Sequence, residues 1–368
     1  MEHTELRRIA RQLNLPGFGM EQARRLAGSR VLVVGAGGLG CPAMQSLAAV
    51  GIGRIRLYDD DVVDLTNIHR QILFGAADVG RRKVDAAAER LRQLQPGLEV
   101  DAVHARLTPD NIVAALSDID LILDGSDTFA TKYLVADAAE LTGVPLIWGT
   151  VLRYAGQVAL WRSGPGTSAG VGLRDFFPVQ PAADSTPDCA TAGVLGVTTS
   201  VVGNLMATEA IKYLVGLGAS VPGRVYSYDA LGTSLRSFTV RADPARTPVT
   251  ELESFYGAGA CAVTSSTPPD PEALRLLALV REGRARTLDV REEHESLLTE
   301  LPDGPDLRLP TSRLDQAALI EALAGVSGPV VVYCASGKRS ATVVQEQSET
   351  ARAAGVELLS LPGGVNGL

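Results

Sequence analysis

Residues 31 to 40 read Val31-Leu32-Val33-Val34-Gly35-Ala36-Gly37-Gly38-Leu39-Gly40. A short buried strand over 31–34 gives way at once to glycine, and residues 39–50 read as a helix. Glycine lets a backbone approach phosphate closely, and a helix N-terminus favours an anion. A glycine turn needed only for packing would look the same. Four later signals argue for the nucleotide. They are Asp59-Asp60-Asp61, then Asn67-Ile68-His69-Arg70-Gln71, then Lys83, then Asp124-Gly125-Ser126-Asp127.

Asp59 falls near the end of a second strand, about 20 residues beyond the glycines, where an acid can hydrogen-bond a ribose. A solvated acidic turn accounts for Asp60. Arg70 and Lys83 could neutralise polyphosphate, one as a bidentate fork and the other as a point charge. Asp127 follows an apolar strand that already ends in Asp124. An acid there can hold Mg²⁺ through oxygen, or it can cap the helix expected over 131–142. The set suits cutting ATP at its α-phosphate better than moving a hydride.

The rest of the chain is organised around that motif. At 368 residues, two domains are the natural expectation. Helices are expected over 1–26, 83–94, 109–116, 131–142 and 194–217, and strands over 54–58, 99–104, 121–124 and 145–149. This alternation predicts an α/β fold, a Rossmann-like, mostly parallel sheet with helices on both faces. Residues 163–190 read as a long loop, and 224–229 with 233–240 as antiparallel strands. The nucleotide domain is placed at 1–256, a linker at 257–271 and a small α/β domain at 272–368. In that last domain, strands are expected at 286–289 and 329–333, and helices at 271–281 and 316–323.

Composition excludes some classes. A net charge of −8 argues against a nucleic-acid partner. The apolar stretch 193–217 contains Thr198, Asn204, Glu209 and Lys212, too polar for a membrane span. The start has no apolar core and is not a signal peptide, and the four cysteines are widely spaced. They read as reduced thiols of a cytoplasmic protein.

The ordered set resembles the ThiF/MoeB-type adenylyltransferases, the ATP-dependent activating enzymes of ubiquitin-like sulfur-carrier proteins. The resemblance runs from about residue 8 to residue 240. It covers Arg11-Gln12, the glycine loop, the acidic run, Asn67-x-x-Arg70-Gln71, Gly80-x-x-Lys83-Val84, Asp124-x-x-Asp127 and Tyr228-Asp229-Ala230. It implies an ATP site formed by Gly35, Gly37, Gly38, Gly40, Asp59, Asp61, Asn67, Arg70 and Lys83, with Mg²⁺ on Asp127. Arg11 would reach the ATP site of a partner subunit, so a homodimer is implied, with the helix over 194–217 helping to form it. Most relatives hold zinc with two Cys-x-x-Cys pairs. The matching stretches, 166–173 and 243–248, contain no cysteine. No zinc site is therefore expected, and the local loops should be held by packing or be less ordered. Thr128 stands where relatives usually carry Asn.

Two cysteines could handle sulfur. Cys189 lies just before the long helix, where a thiol pKa is lowered. In some relatives the matching cysteine is thought to link covalently to the carrier; an inert loop thiol is the other reading. Cys41 reads as a small buried side chain and Cys261 as incidental. Cys334 follows the strand Val330-Val331-Val332-Tyr333 and opens Cys334-Ala335-Ser336-Gly337-Lys338-Arg339-Ser340. Such a loop wraps N–H groups and a helix dipole around sulfur, and Lys338 and Arg339 add positive charge. A thiolate, and then a persulfide, would be stabilised. A cysteine phosphatase also uses Cys, Arg and a helix N-terminus, but usually with a longer spacing to Arg. The segment resembles a rhodanese domain, supported by Leu288-Asp289-Val290-Arg291-Glu292-Glu293-His294-Glu295 and Leu361-Pro362-Gly363-Gly364. It departs from that pattern over 302–313, and the chain stops sooner than such domains usually do.

Together these resemblances imply a fused enzyme. One domain would adenylate the Gly-Gly carboxylate of a carrier of the MoaD/ThiS kind. The other would deliver sulfur from Cys334, loaded by a donor such as a cysteine desulfurase or thiosulfate. Molybdopterin, thiamine, cysteine and tRNA-thiolation pathways all stay open. The rival readings are an NAD(P)-dependent oxidoreductase, which leaves Arg70, Lys83 and Asp127 without a role, and a non-catalytic scaffold that only binds carriers.

Overall fold

A computed structural model describes residues 3–167, 170–181, 192–256, 270–296, 301 and 304–367. The chain divides into two units, 1–260 and 261–368, and each has its own sheet.

The first unit contains β1 (Arg30–Val34), β2 (Arg54–Tyr58), β3 (Glu99–Val103), β4 (Leu121–Asp124), β5 (Leu146–Leu152), β6 (Ala155–Trp161), β7 (Arg224–Asp229) and β8 (Ser234–Thr239). They form one sheet in the order β3-β2-β1-β4-β5-β6-β7-β8. Neighbours from β3 to β5 are parallel, and those from β5 to β8 antiparallel. Val34 lies opposite Tyr58 on one side and Asp124 on the other. Strand order reverses at β1, so a crevice opens beyond the carboxyl ends of β1 and β4.

The apolar run of β1 is continuous because both its faces are covered. Val31 and Val33 pack with Met44, Leu47, Ile55, Leu91 and Met206 on one side. Leu32 and Val34 pack with Ile112, Ile122, Tyr133, Val135 and Trp148 on the other. The helix Gly196–Val215 belongs to the first of these layers, burying Val202, Met206, Ala207 and Ala210.

Some expectations change. The helix expected over 1–26 is three helices, His3–Arg8, Ala10–Leu13 and Met20–Gly28, interrupted where Pro16 precedes Gly17 at φ +80°. The helix expected over 109–116 shrinks to one turn, Ile112–Ala115. Strand β6 was not foreseen, and residues 163–181 include a short helix, Leu173–Phe176.

The second unit holds β9 (Arg286–Asp289), β10 (Leu307–Arg308), β11 (Val330–Tyr333) and β12 (Leu358–Ser360), parallel and in the order β10-β9-β11-β12. Helices Pro271–Arg281, Gln316–Ala322 and Lys338–Ala353 accompany it. Val330 and Val332 pack with Leu288, Leu319 and Leu358. Val331 and Tyr333 pack with Ala273, Leu276 and Leu361 on the opposite face.

Candidate active site

The glycine loop sits at the crevice. Gly35 takes φ +87°, and its N–H donates to the Tyr58 carbonyl at 2.8 Å. A side chain at Gly40 would collide with the Gly35 carbonyl, so the helix Gly40–Val50 can begin this close to the strand only with glycine. Asp59 organises the loop. Its Oδ2 accepts from Ala36 N at 2.7 Å and its Oδ1 from Asp61 N at 2.8 Å. Burial raises the Asp59 carboxyl above its ordinary value, opposed by the Lys83 ammonium and those two amides. Lys83 opens the helix Lys83–Leu94 with its side chain buried, and its Nζ rests 2.8 Å from Asp61 Oδ2. Ala36, Asp59, Asp61 and Lys83 thus form one chain of bonds.

Arg70 lies after the short turn Leu65–Asn67. Its Nη1 donates to the Thr66 carbonyl at 2.9 Å and meets His69 Nε2 at 2.9 Å. Among the described residues no carboxylate pairs with it. Burial, and then the Arg70 charge, push the His69 pKa below its ordinary value. Asn67 Nδ2 reaches Thr66 Oγ1 at 3.5 Å. The long helix joins this group to the glycines. A Cβ on Gly38 would stand 3.0 Å from Thr199 Cγ2, and Thr199 Oγ1 reaches the Arg70 carbonyl at 3.5 Å.

Asp127 stands on the turn after β4, which is tied to β1 by Gly125 N donating to the Val34 carbonyl at 2.9 Å. The capping role open to Asp127 falls to Thr128. Thr128 Oγ1 accepts from Thr131 N at 3.2 Å and caps the helix Phe129–Thr142. Asp127 is exposed, with no partner among the described residues. No cluster of three or more metal-binding side chains exists among the described residues. One free carboxylate still fits Mg²⁺, which is usually bound by one or two carboxylates together with substrate phosphates. Arg11 is exposed and has no partner among the described residues. Cys189 and Cys261 lie outside the described residues. Cys41 is fully buried, with its thiol on the Ala36 carbonyl at 3.2 Å, and burial pushes its pKa up to about 12.

In the second unit Cys334 ends β11 and is fully buried. Its Sγ lies 3.8 Å from Ser340 Oγ, and its carbonyl accepts from Val365 N at 3.0 Å. Ser340 Oγ donates to the Gly337 carbonyl at 2.9 Å and lies 2.9 Å from Ser360 Oγ. Gly337, at φ +84°, caps the helix Lys338–Ala353, so Arg339 and Ser340 lie in its first turn. The charge expected from Arg339 is offset. Arg339 Nη1 and Nη2 bond Glu295 Oε2 and Oε1 at 2.7 and 2.5 Å. Lys338 is exposed.

One of the stretches without zinc cysteines, 243–248, is held by ion pairs through Arg246. Arg246 donates to Glu140 Oε1 and to Asp175 Oδ1, both at 3.0 Å. Asp175 also accepts from Gly172 N and Asp243 N. Arg174 forks onto Asp137 at 2.7 Å through both Nε and Nη2, and Tyr256 OH donates to the same carboxylate at 2.9 Å.

Thr199, Ser340 and Glu295 had no assigned role in the sequence reading; Thr199 meets the glycine loop and the Arg70 carbonyl, Ser340 lies beside the Cys334 sulfur, and Glu295 pairs with Arg339. Thr199 carried no local signal, because its contacts are long-range.

Comparison with known proteins gives one coherent result. The ThiF family matches residues 9–249. The chain is 40% identical over 351 residues to a probable adenylyltransferase/sulfurtransferase, MoeZ, of Mycobacterium tuberculosis, covering 93% of this chain and 88% of that protein. It is 45% identical over 247 residues to the sulfur carrier protein adenylyltransferase of Thermus thermophilus, covering 67% and 90%. It is 36% identical over 374 residues to the adenylyltransferase and sulfurtransferase MOCS3 of Bos taurus, covering 94% and 81%. Among solved structures, E. coli MccB superposes with a TM-score of 0.58 at 18% identity, covering 67% of this chain and 72% of that one. At that identity the likeness speaks for the fold alone.

Proposed function

The chain belongs to the ThiF family, and from that premise we propose how its residues divide an adenylation and a sulfur transfer between them. The protein is an adenylyltransferase with sulfurtransferase activity, as its relatives along nearly the whole chain are named. Its substrate in the first unit is the C-terminal carboxylate of a small ubiquitin-like sulfur carrier. A carboxylate is a poor electrophile. Attack by its oxygen on the α-phosphorus of ATP expels pyrophosphate and leaves a mixed anhydride whose carbonyl can be attacked.

The observation that carries this reading is the grouping around the glycine loop. Asp59 and Asp61 tie Lys83 to the loop, Thr199 ties Arg70 to it, and the Asp127 turn abuts it. Arg70 has no carboxylate to give up before it meets phosphate, whereas Lys83 must leave Asp61 or share it. Catalysis is then charge stabilisation by Arg70 and Lys83 rather than acid–base chemistry. Asp127 would hold Mg²⁺, which would neutralise charge on the phosphates. Gly35, Gly37, Gly38 and Gly40 would line the phosphates, and Asp59 would offer its remaining lone pairs to the ribose. Arg11, exposed on its own subunit, would serve the ATP site of a second copy, making the enzyme a homodimer.

Cys334 is the sulfur carrier of the second unit. Its persulfide, loaded by thiosulfate or a desulfurase, attacks the acyl adenylate through the terminal sulfur. AMP leaves and an acyl disulfide forms, which a thiol reduces to the carrier thiocarboxylate. Cys189 is proposed as a covalent link to the carrier. No described helix is long and apolar enough to cross a membrane, and we place the reaction in the cytoplasm. Carrier-dependent ATP–pyrophosphate exchange tests the first half, and its absence with every carrier of this class would overturn the reading.

A further inference from the structure

We propose that Lys132 is a positioning residue of the adenylation site, acting through Asp124 on the turn that presents Asp127. The inference rests on the adenylation reading above. Asp124 is fully buried at the end of β4. Its Oδ1 accepts from Ser126 N at 2.9 Å and from Ser126 Oγ at 2.5 Å. Both bonds fold the chain back immediately before Asp127. Asp124 Oδ2 faces Lys132 Nζ at 3.5 Å.

Lys132 is itself 3% exposed, which is rare for lysine unless it is paired. Its Nζ donates to the Gly149 carbonyl on β5 at 2.6 Å and lies 5.7 Å from the Trp148 ring centroid. One ammonium therefore joins the helix Phe129–Thr142, the end of β4 and the middle of β5. On its other side the turn is fixed to β1 through Gly125 N and the Val34 carbonyl. Asp127 is the one carboxylate of this turn left exposed and unpartnered. Without the Lys132 ammonium the buried Asp124 carboxylate is left unpaired and turns toward water. It then loosens its hold on Ser126, and Asp127 loses its fixed place.

Supporting residues behind a metal ligand commonly affect metal affinity strongly, and a role of that kind is testable without turnover. Mn²⁺ binding by the full chain, with a non-hydrolysable ATP analogue present, can be followed by electron paramagnetic resonance. Lys132→Met should weaken Mn²⁺ binding by about 10-fold to 100-fold, and Lys132→Arg should restore most of it. Melting is measured in parallel, since a purely structural role would lower the melting temperature and leave Mn²⁺ affinity unchanged. Asp124→Asn keeps an acceptor for Ser126 without a buried charge. In that background Lys132→Met should add less than about twofold, because the route runs through Asp124. This second comparison also serves if Lys132→Met alone does not fold. Native Mn²⁺ affinity in folded Lys132→Met, or full additivity with Asp124→Asn, overturns the proposal. Failure of the unaltered chain to bind Mn²⁺ with the analogue counts instead against the adenylation reading.

Discussion

Arg339, five residues beyond the sulfur-bearing Cys334, is bound at both ends of its guanidinium by Glu295. The hydrogen bond to Glu295 raises the Arg339 pKa, so the pair stays charged but its net charge is close to zero. An anionic donor approaching Cys334 therefore meets less attraction than the sequence suggests. Glu295→Gln keeps acceptor capacity and frees that charge. Loading of Cys334 from thiosulfate should then quicken by about threefold or more at low salt. An unchanged rate in a folded variant would show that Arg339 does not act on the donor.

Cys334→Ala tests the division of labour. The residues proposed for adenylation, Asp59, Asp61, Arg70, Lys83 and Asp127, all belong to the unit 1–260. Sulfur transfer from thiosulfate or a persulfide should vanish, while carrier-dependent pyrophosphate exchange stays within about twofold of normal, as expected of independent sites, because none of the residues proposed for exchange belongs to the second unit. Equal loss of both activities would mean that the two units are not separable in function.

Asp127→Ala and Arg70→Ala address the phosphate end. Each should slow exchange by about 10²-fold to 10³-fold, the scale on which fixed charge-stabilising groups act. Asp127 is exposed and unpartnered among the described residues, so its removal should change stability by no more than about 0.5 kcal/mol. Wild-type exchange in both variants would remove the nucleotide-site assignment.

His69 links the site to pH. Its Nε2 can accept from Arg70 Nη1 only when the ring is neutral at that atom. The folded pKa lies below the ordinary 6.5. The native state therefore binds this proton less tightly than the unfolded chain, and the associated stability is lost as pH falls through the window below 6.5. Exchange should show an acid limb in the same window. His69→Gln, with a neutral acceptor at every pH, should flatten that limb. An identical acid limb in both proteins would assign it to another group.

Arg246→Met should lower stability by about 3–5 kcal/mol, since it strands charge on Glu140 and Asp175, whose side chains are 5% and 1% exposed. Chelators should leave the melting temperature of the unaltered chain in place, and elemental analysis should find no stoichiometric zinc. A chelator-induced drop would point to a metal in this region rather than to the ion pairs.

The parts of the fold written in short-range pattern were open to reading. The apolar 31–34 run, its glycine turn and the helix Lys83–Leu94 depend on neighbours a few residues away. Strand β6 did not stand out, because Ala155-Gly156-Gln157 opens it without an apolar face and only its partners β5 and β7 make it a strand. Strands β10 and β12, of two and three residues, are too short to leave a period. The site divides in the same way. Arg70, Lys83 and Asp127 stood in recognisable order, whereas Thr199, Lys132 and Glu295 matter through tertiary partners that no spacing reveals.

The contact between Gly38 and Thr199 also bears on how the protein is made. The glycine loop leaves the ribosome early, but the helix that covers it, Gly196–Val215, comes much later. Until then Met44 and Leu47 lack the neighbours Val202 and Met206 that share their buried layer. The nascent chain must carry an uncovered apolar layer through most of the synthesis of this unit, a state prone to aggregation. Packing of Thr199 onto the glycine loop is then a late, long-range event.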